Sequence, residues 1–265
     1  MIENKTLIPL MGAICGDIIG SAYEGPKTKR FNFNLFTPKS RFTDDTVMTV
    51  AVADWILSGN DLVQCVQQWG NRYPHAGYGG MFKKWLRSEN PQPYNSWANG
   101  SAMRVSPVGW AFDDLDTVLE KAKESAEITH NHPEGIKGAQ AVASAVFLAR
   151  TGKSKEEIKA YITEKFGYFL DRTINEIRPT YRFDVSCQGC VPESIIAFLE
   201  SSDYETAVRL AVSLGGDADT MGAITGSIAA AFYKSISPFI LTTCWNRLPP
   251  DIKQTVLSFS EKFNS

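Results

Sequence analysis

Small residues recur every four positions in two apolar stretches of this chain: Gly12, Gly16 and Gly20 near the start, and Gly222, Gly226 and Ala230 near the end. At that spacing they share one face of a helix, and a face without side chains lets a second backbone come close. Glycine inside a helix costs about 1 kcal/mol relative to alanine, so a row of glycines signals a packing requirement. The pattern predicts two central helices, packed backbone to backbone, that bring the neighbourhood of residue 16 to that of residue 222. For 265 residues, one large domain or two small ones are both open. A tie between the two ends favours a single domain over 1–265. Membrane helices pair in the same way, but the flanking polarity argues against that setting here.

The remaining periodicity is also helical. Apolar spacing predicts helices over 7–22, 44–57, 113–128, 133–149, 155–166, 192–200, 204–214 and 220–233, with a further pair toward the C-terminus. Pro192 suits a first helical turn, and Gly152 suits a stop after Ala149. Only 180–185 alternates as a strand would. Three glycine-rich or polar stretches, 24–41, 74–81 and 95–107, interrupt the helices and read as binding loops. The expected fold class is all-α: a compact helical bundle with long active-site loops. A chain that is 43% hydrophobic with six Trp supplies ample core.

Two acidic clusters stand toward opposite ends of the chain, the second just before the later glycine row. Phe42-Thr43-Asp44-Asp45-Thr46 and Gly215-Gly216-Asp217-Ala218-Asp219-Thr220 each place carboxylates beside a threonine hydroxyl at the start of an apolar helix. One reading is that each merely caps its helix, where Asp and Thr satisfy free amides and favour the dipole. The other is that they converge, since hard oxygen donors suit Mg²⁺, Mn²⁺ or Ca²⁺ and four carboxylates in one pocket need cations to offset their repulsion. A shared pair of divalent cations makes a hydrolytic centre.

Charge and composition remove other classes. The formal net charge is −2 and no basic stripe is present, so a nucleic-acid role has little support. No run of 18 apolar residues exists, so no membrane span is expected. The opening residues, 1–5, lack the cationic start of a signal peptide. Five cysteines, an odd count, point to reduced thiols and a cytoplasmic setting. Cys187 and Cys190 have C-x-x-C spacing, but zinc needs two more ligands and His130 and His132 lie far upstream. Buried thiols are the better reading.

With these stretches in view, the motifs resemble a known family. Gly16-Asp17, Gly20-Ser21-Ala22-Tyr23-Glu24, Thr43-Asp44-Asp45-Thr46, Asn99-Gly100-Ser101-Ala102-Met103-Arg104, Thr129-His130 and Gly215-Gly216-Asp217-Ala218-Asp219-Thr220 together are similar to the ADP-ribosylglycohydrolases. The resemblance runs in order from about residue 7 to residue 233. It implies an all-α fold with two Mg²⁺ (or Mn²⁺) ions, acting as a monomer on ADP-ribosylated protein and binding ADP-ribose. Thr43, Asp44, Asp45, Asp217, Asp219 and Thr220 are the implied metal ligands, with Asp219 as bridge. Glu24 matches the family's mobile-loop glutamate and is the implied acid–base or gating group, with Asp44 or Asp45 as the alternative base. Ser96, Trp97, Asn99, Gly100 and Ser101 match a phosphate loop, Trp97 stacking on the adenosine side, and His130 matches a ligand-contacting histidine. Asn95 and Ala98 depart from the glycines of some members. Asp17 reads as a support for the ligands.

Two other functions fit parts of the pattern. Paired acids alone would serve a two-metal phosphohydrolase of a pyrophosphate. Some members of the family resembled here are recruited as binding or structural proteins, such as lens crystallins, but those are expected to lose ligands. The resemblance implies removal of ADP-ribose from protein side chains by cleavage at C1″, with arginine the first choice of linkage and serine the second.

Overall fold

A computed structural model describes residues 8–25 and 27–263. Its helices in chain order are α1 (Ile8–Gly20), α2 (Asp44–Ser58), α3 (Leu62–Arg72), α4 (Gly80–Leu86), α5 (Gly100–Met103), α6 (Ser106–Ala111), α7 (Leu115–Glu127) and α8 (Pro133–Arg150). They continue as α9 (Lys155–Phe166), α10 (Ile174–Ile177), α11 (Cys187–Glu200), α12 (Tyr204–Val212), α13 (Ala218–Tyr233), α14 (Pro238–Trp245) and α15 (Pro250–Phe263). Among the described residues there is no strand, only an isolated antiparallel bridge between Ala98 and Ser186. The fold is therefore all-α. Among the described residues no helix is long and apolar enough to cross a membrane.

The two glycine rows meet. Every residue of α1 is buried, as is α13 from Ala218 to Ala231, so both are apolar all round and form the centre. They run antiparallel. A Cβ on Gly16 would lie 1.9 Å from the Gly222 carbonyl oxygen, and one on Gly20 would lie 2.1 Å from that of Ala218. On Gly12 it would meet the Ala230 Cβ at 2.4 Å. Backbone thus fills the space that side chains take in ordinary helix pairs. Around this pair pack α2, α14 and α15 on the α1 side, and α8, α11 and α12 on the α13 side.

Local chemistry sets the helix ends. Thr43 caps α2 by accepting from the Asp45 amide, and Ser186 caps α11 by accepting from that of Gly189. Ser154 and Glu157 form a reciprocal capping box at α9, whose bounds coincide with the periodicity. Gly59 and Gly167 stop α2 and α9 in the left-handed conformation.

Several expectations need correction. The segment 180–185 is irregular rather than a strand, because it has no neighbouring chain to pair with beyond the single bridge at Ser186. Helix α11 begins at Cys187, so Pro192 lies inside it and not in its first turn. The Ser186 cap outweighs the proline, whose cost is the hydrogen bond it cannot donate to Gln188. The loop 95–107 contains α5 and the start of α6, and α4 starts within 74–81. Helix α3, missed because its polar residues dilute the apolar signal, follows the Asp61 cap. Leu7, the expected first residue of α1, and the opening residues 1–5 lie outside the described residues.

Candidate active site

The antiparallel pairing of α1 and α13 places the C-terminal end of α1 beside the N-terminus of α13. Asp17 is carried on the last turn of α1, while Asp217 and Asp219 flank the start of α13. The N-terminus of α2, with Thr43, Asp44 and Asp45, is stitched onto the same spot through Asp17. The Thr43 and Thr46 amides donate to Asp17 Oδ2 at 2.9 and 3.1 Å, and the Thr43 hydroxyl donates to Oδ1 at 2.8 Å. Two helix N-termini therefore aim their positive dipole ends at one acidic set.

That set has a definite shape. One oxygen each from Asp17, Asp45 and Asp219 lie within 4.8 Å of one another, and so do one each from Glu24, Asp217 and Asp219. Asp219 belongs to both triplets. Asp45 Oδ1 is buried and has no hydrogen-bond partner, while Oδ2 lies 3.2 Å from the Thr43 hydroxyl. Asp217 Oδ2 accepts from the Asn99 side-chain amide at 2.7 Å. Asp44 stands outside both triplets, half-buried on the cleft wall, with its Oδ1 against Gly77.

Crowded acids hold their protons. Burial pushes Asp17 up to about 7, with repulsion from Asp219 adding to it and the Thr46 and Thr43 hydrogen bonds opposing it. Asp44 also rises to about 7, through burial first and then the charges of Asp219 and Asp17. Burial followed by Asp219 drives Asp45 and Asp217 well above the usual carboxylate range. Glu24, exposed at the mouth, is raised mainly by the charge of Asp219.

A cleft of about 300 Å³ opens over this set. The acids Glu24, Asp44, Asp45, Asp217 and Asp219 line it, as does Thr220. Ser96, Asn99, Gly100 and His130 line it as well. His130 is buried, with Nδ1 2.7 Å from the Thr129 hydroxyl, and burial, aided by the Arg104 charge, lowers its pKa and keeps it neutral. A Cβ on Gly100 would come within 3.0 Å of its Nε2.

Three sequence-predicted residues do not line the cleft. Thr43 is buried behind the acids, bonded to Asp17. Ser101 is buried too, and its hydroxyl donates to the Gly135 carbonyl at 2.7 Å. Trp97 is 48% exposed and turned away. The bridge at Ala98 and the bond from the Cys187 amide to the Trp97 carbonyl hold this stretch extended. Alternate side chains then point the same way, so Ser96 and Ala98 face the cleft and Trp97 does not.

Sequence reasoning missed other lining residues. Tyr94 lines the cleft two positions before Ser96, across a turn at Asn95, whose φ is 54°. Phe183 and Val185 line it beside the extended stretch, where the Asn99 amide donates to the Val185 carbonyl at 2.7 Å, and their alternation was the signal read as a strand. Its partner is the cleft. Gly77, Gly79 and Gly80 come from the loop predicted at 74–81, which is anchored where the Asp44 amide donates to the Ala76 carbonyl at 3.1 Å. The thiols of Cys187 and Cys190 are free and buried.

Known proteins share this outline. A family model described as ADP-ribosylglycohydrolase matches residues 2–259. ADP-ribosylhydrolase ARH3 of Homo sapiens is 27% identical over 304 residues, spanning 84% of this chain and 84% of its own. An uncharacterized protein of Archaeoglobus fulgidus is 33% identical over 270 residues, spanning 87% of this chain and 88% of its own. The solved structure of an ADP-ribosylglycohydrolase-related protein complex superposes with a TM-score of 0.72 at 23% identity, covering 98% of both chains, a likeness of fold.

Proposed function

The chain belongs to the ADP-ribosylglycohydrolase family, and on that premise we propose that it removes ADP-ribose from modified protein side chains by cleaving the bond at C1″ in a reaction dependent on two Mg²⁺ or Mn²⁺ ions. One observation carries this reading: two carboxylate triplets share Asp219, beside a buried Asp45 oxygen that no protein group satisfies. A buried acceptor without a partner is costly, and a cation is the partner that also offsets the repulsion among its neighbours. The donors are all hard oxygens, which fits Mg²⁺ or Mn²⁺.

Thr43, Asp44 and Asp45 would hold the ions from one side, and Asp217, Asp219 and Thr220 from the other. Ions held there would anchor ribose hydroxyls and lower the pKa of a water. Asp17 keeps the first turn of α2 in register through its bonds to Thr43 and Thr46. Ser96, Asn99 and Gly100 present the loop that receives the pyrophosphate, and neutral His130 offers a ring nitrogen without adding charge. C1″ carries oxocarbenium character as the bond breaks, so the attacking water has to be aimed at that carbon. Glu24, at the mouth, with its carboxyl raised by the charge of Asp219, would take a proton from that water. Asp44 and Asp45 are the alternative bases.

The linkage is read as ADP-ribosyl-arginine first and ADP-ribosyl-serine second, because an exposed Glu24 beside an acidic set suits a guanidinium leaving group. Matched arginine- and serine-modified peptides, followed by mass spectrometry, test it. Arginine release is expected; release from serine alone overturns the linkage and keeps the reaction.

A further inference from the structure

The side-chain amide of Asn99 does not point only toward a bound ligand. It donates to Asp217 Oδ2 at 2.7 Å, and both residues are buried. This joins the 95–107 loop, which lines the cleft, to an acid at the start of α13.

Asn99 is itself held from behind. Its backbone amide donates to the Val185 carbonyl at 2.7 Å, and its carbonyl accepts from the Ala102 and Met103 amides at 2.9 Å each. Cys187 completes the support: its thiol donates to the Ala98 carbonyl at 3.2 Å. Helix α8 closes over Cys187: a Cβ on Gly138 would lie 2.4 Å from its Sγ. A buried thiol thereby braces the loop that carries Asn99 to Asp217.

We propose that Asn99 is a positioning residue for Asp217, fixing which carboxylate oxygen faces the shared cation site, with Cys187 holding its loop in place. An amide donor is suited to the task, because it neutralises one oxygen's demand without adding charge to a crowded set. The arrangement also joins the substrate loop to the metal side through one bond. The proposal rests on the metal reading above and makes a claim that reading does not: removing Asn99 weakens cation binding even when no substrate is present.

The test is Mn²⁺ titration of the full chain, followed by electron paramagnetic resonance without ADP-ribose. Asn99→Ala is paired with Asn99→Leu, which keeps the shape and loses the donor, so that a folding defect in one does not decide the matter. Loss of a hydrogen-bond partner to a metal ligand costs about 10–100-fold in metal affinity. Both variants are expected to lose that much at the site that includes Asp217, while circular dichroism shows unchanged helix content. Unchanged Mn²⁺ isotherms, with a loss confined to ADP-ribose affinity, would overturn the proposal. A wild-type chain that binds no Mn²⁺ would sink the metal reading itself, and this proposal with it.

Discussion

Replacing Gly16 with alanine tests the central packing. The new methyl group would sit 1.9 Å from the Gly222 carbonyl oxygen, 2.4 Å from its carbon and 2.9 Å from the Ala223 nitrogen. All three are backbone atoms, so no side chain can rotate away. Non-bonded carbons prefer about 3.5–4.0 Å, so α1 and α13 must part by more than about 1 Å locally. Overpacking of this kind costs about 1–3 kcal/mol, and more where backbone has to move. Alanine's better helix propensity returns about 1 kcal/mol. Because backbone itself has to move, the cost lies at or above the top of that range, about 3 kcal/mol, and the net effect is a loss of about 2 kcal/mol or more. For a chain of this size each kcal/mol lowers Tm by about 2–4 °C. Thermal melting by circular dichroism should therefore show Gly16→Ala about 4–8 °C or more below wild type. Gly80→Ala, where nothing lies within 4 Å of the added methyl, should show no such drop. Because Asp17 follows Gly16, the variant should also lose activity. A Gly16→Ala chain as stable as wild type, or stabilised as propensity alone would have it, would refute the backbone-to-backbone packing.

Two further outcomes follow from the acids. Asp17 and Asp44 hold protons in the folded chain up to about pH 7, against an ordinary value of 3.8, so the folded form binds more protons than the unfolded form between those limits. The stability this provides is complete below about pH 4 and is lost as pH rises through 7. Metal-free protein should therefore melt at falling temperature from pH 5 to 8, and Mg²⁺ or Mn²⁺ should flatten that fall; a metal-free Tm that rises across the window would contradict it. The lowered values of Asp203 and Asp251 act below this window. Glu24→Gln should lower kcat by at least about 10²-fold with little change in KM, as for an acid–base group. A near-normal kcat would move the base role to Asp44 or Asp45.

The centre of the fold was legible because a row of glycines weakens a helix unless a second backbone packs against it, and α1 and α13 meet through those residues. The second acid cluster was legible for a related reason, since Asp217 and Asp219 sit beside a row. Asp44 and Asp45, well past Gly20, instead reach the site through the bonds of Asp17 to Thr43 and Thr46. What escaped depended on contacts between distant segments. Trp97 reads as a cleft aromatic until the bridge to Ser186 sets the alternation that turns it outward. Phe183 and Val185 carry a true two-residue period, but sequence cannot say that the face they share meets a cleft rather than a neighbouring strand. Cys187 and Cys190 form a spacing usually associated with zinc or redox chemistry. The Cys187 hydrogen bond to the 95–107 loop appears only once α11 is seen to start at that residue.

ADP-ribose release from an ADP-ribosylated protein, with product identity read by mass spectrometry, probes the shared site most directly. Wild type is compared with Asp219→Ala, each with Mg²⁺ or Mn²⁺ and again after chelation. Because Asp219 belongs to both carboxylate triplets, its loss should abolish release while leaving the helical spectrum intact, and chelated wild type should be equally inactive. The product should be intact ADP-ribose. Undiminished release by Asp219→Ala or by the chelated enzyme, or a product of AMP with ribose phosphate left on the protein, would contradict the account.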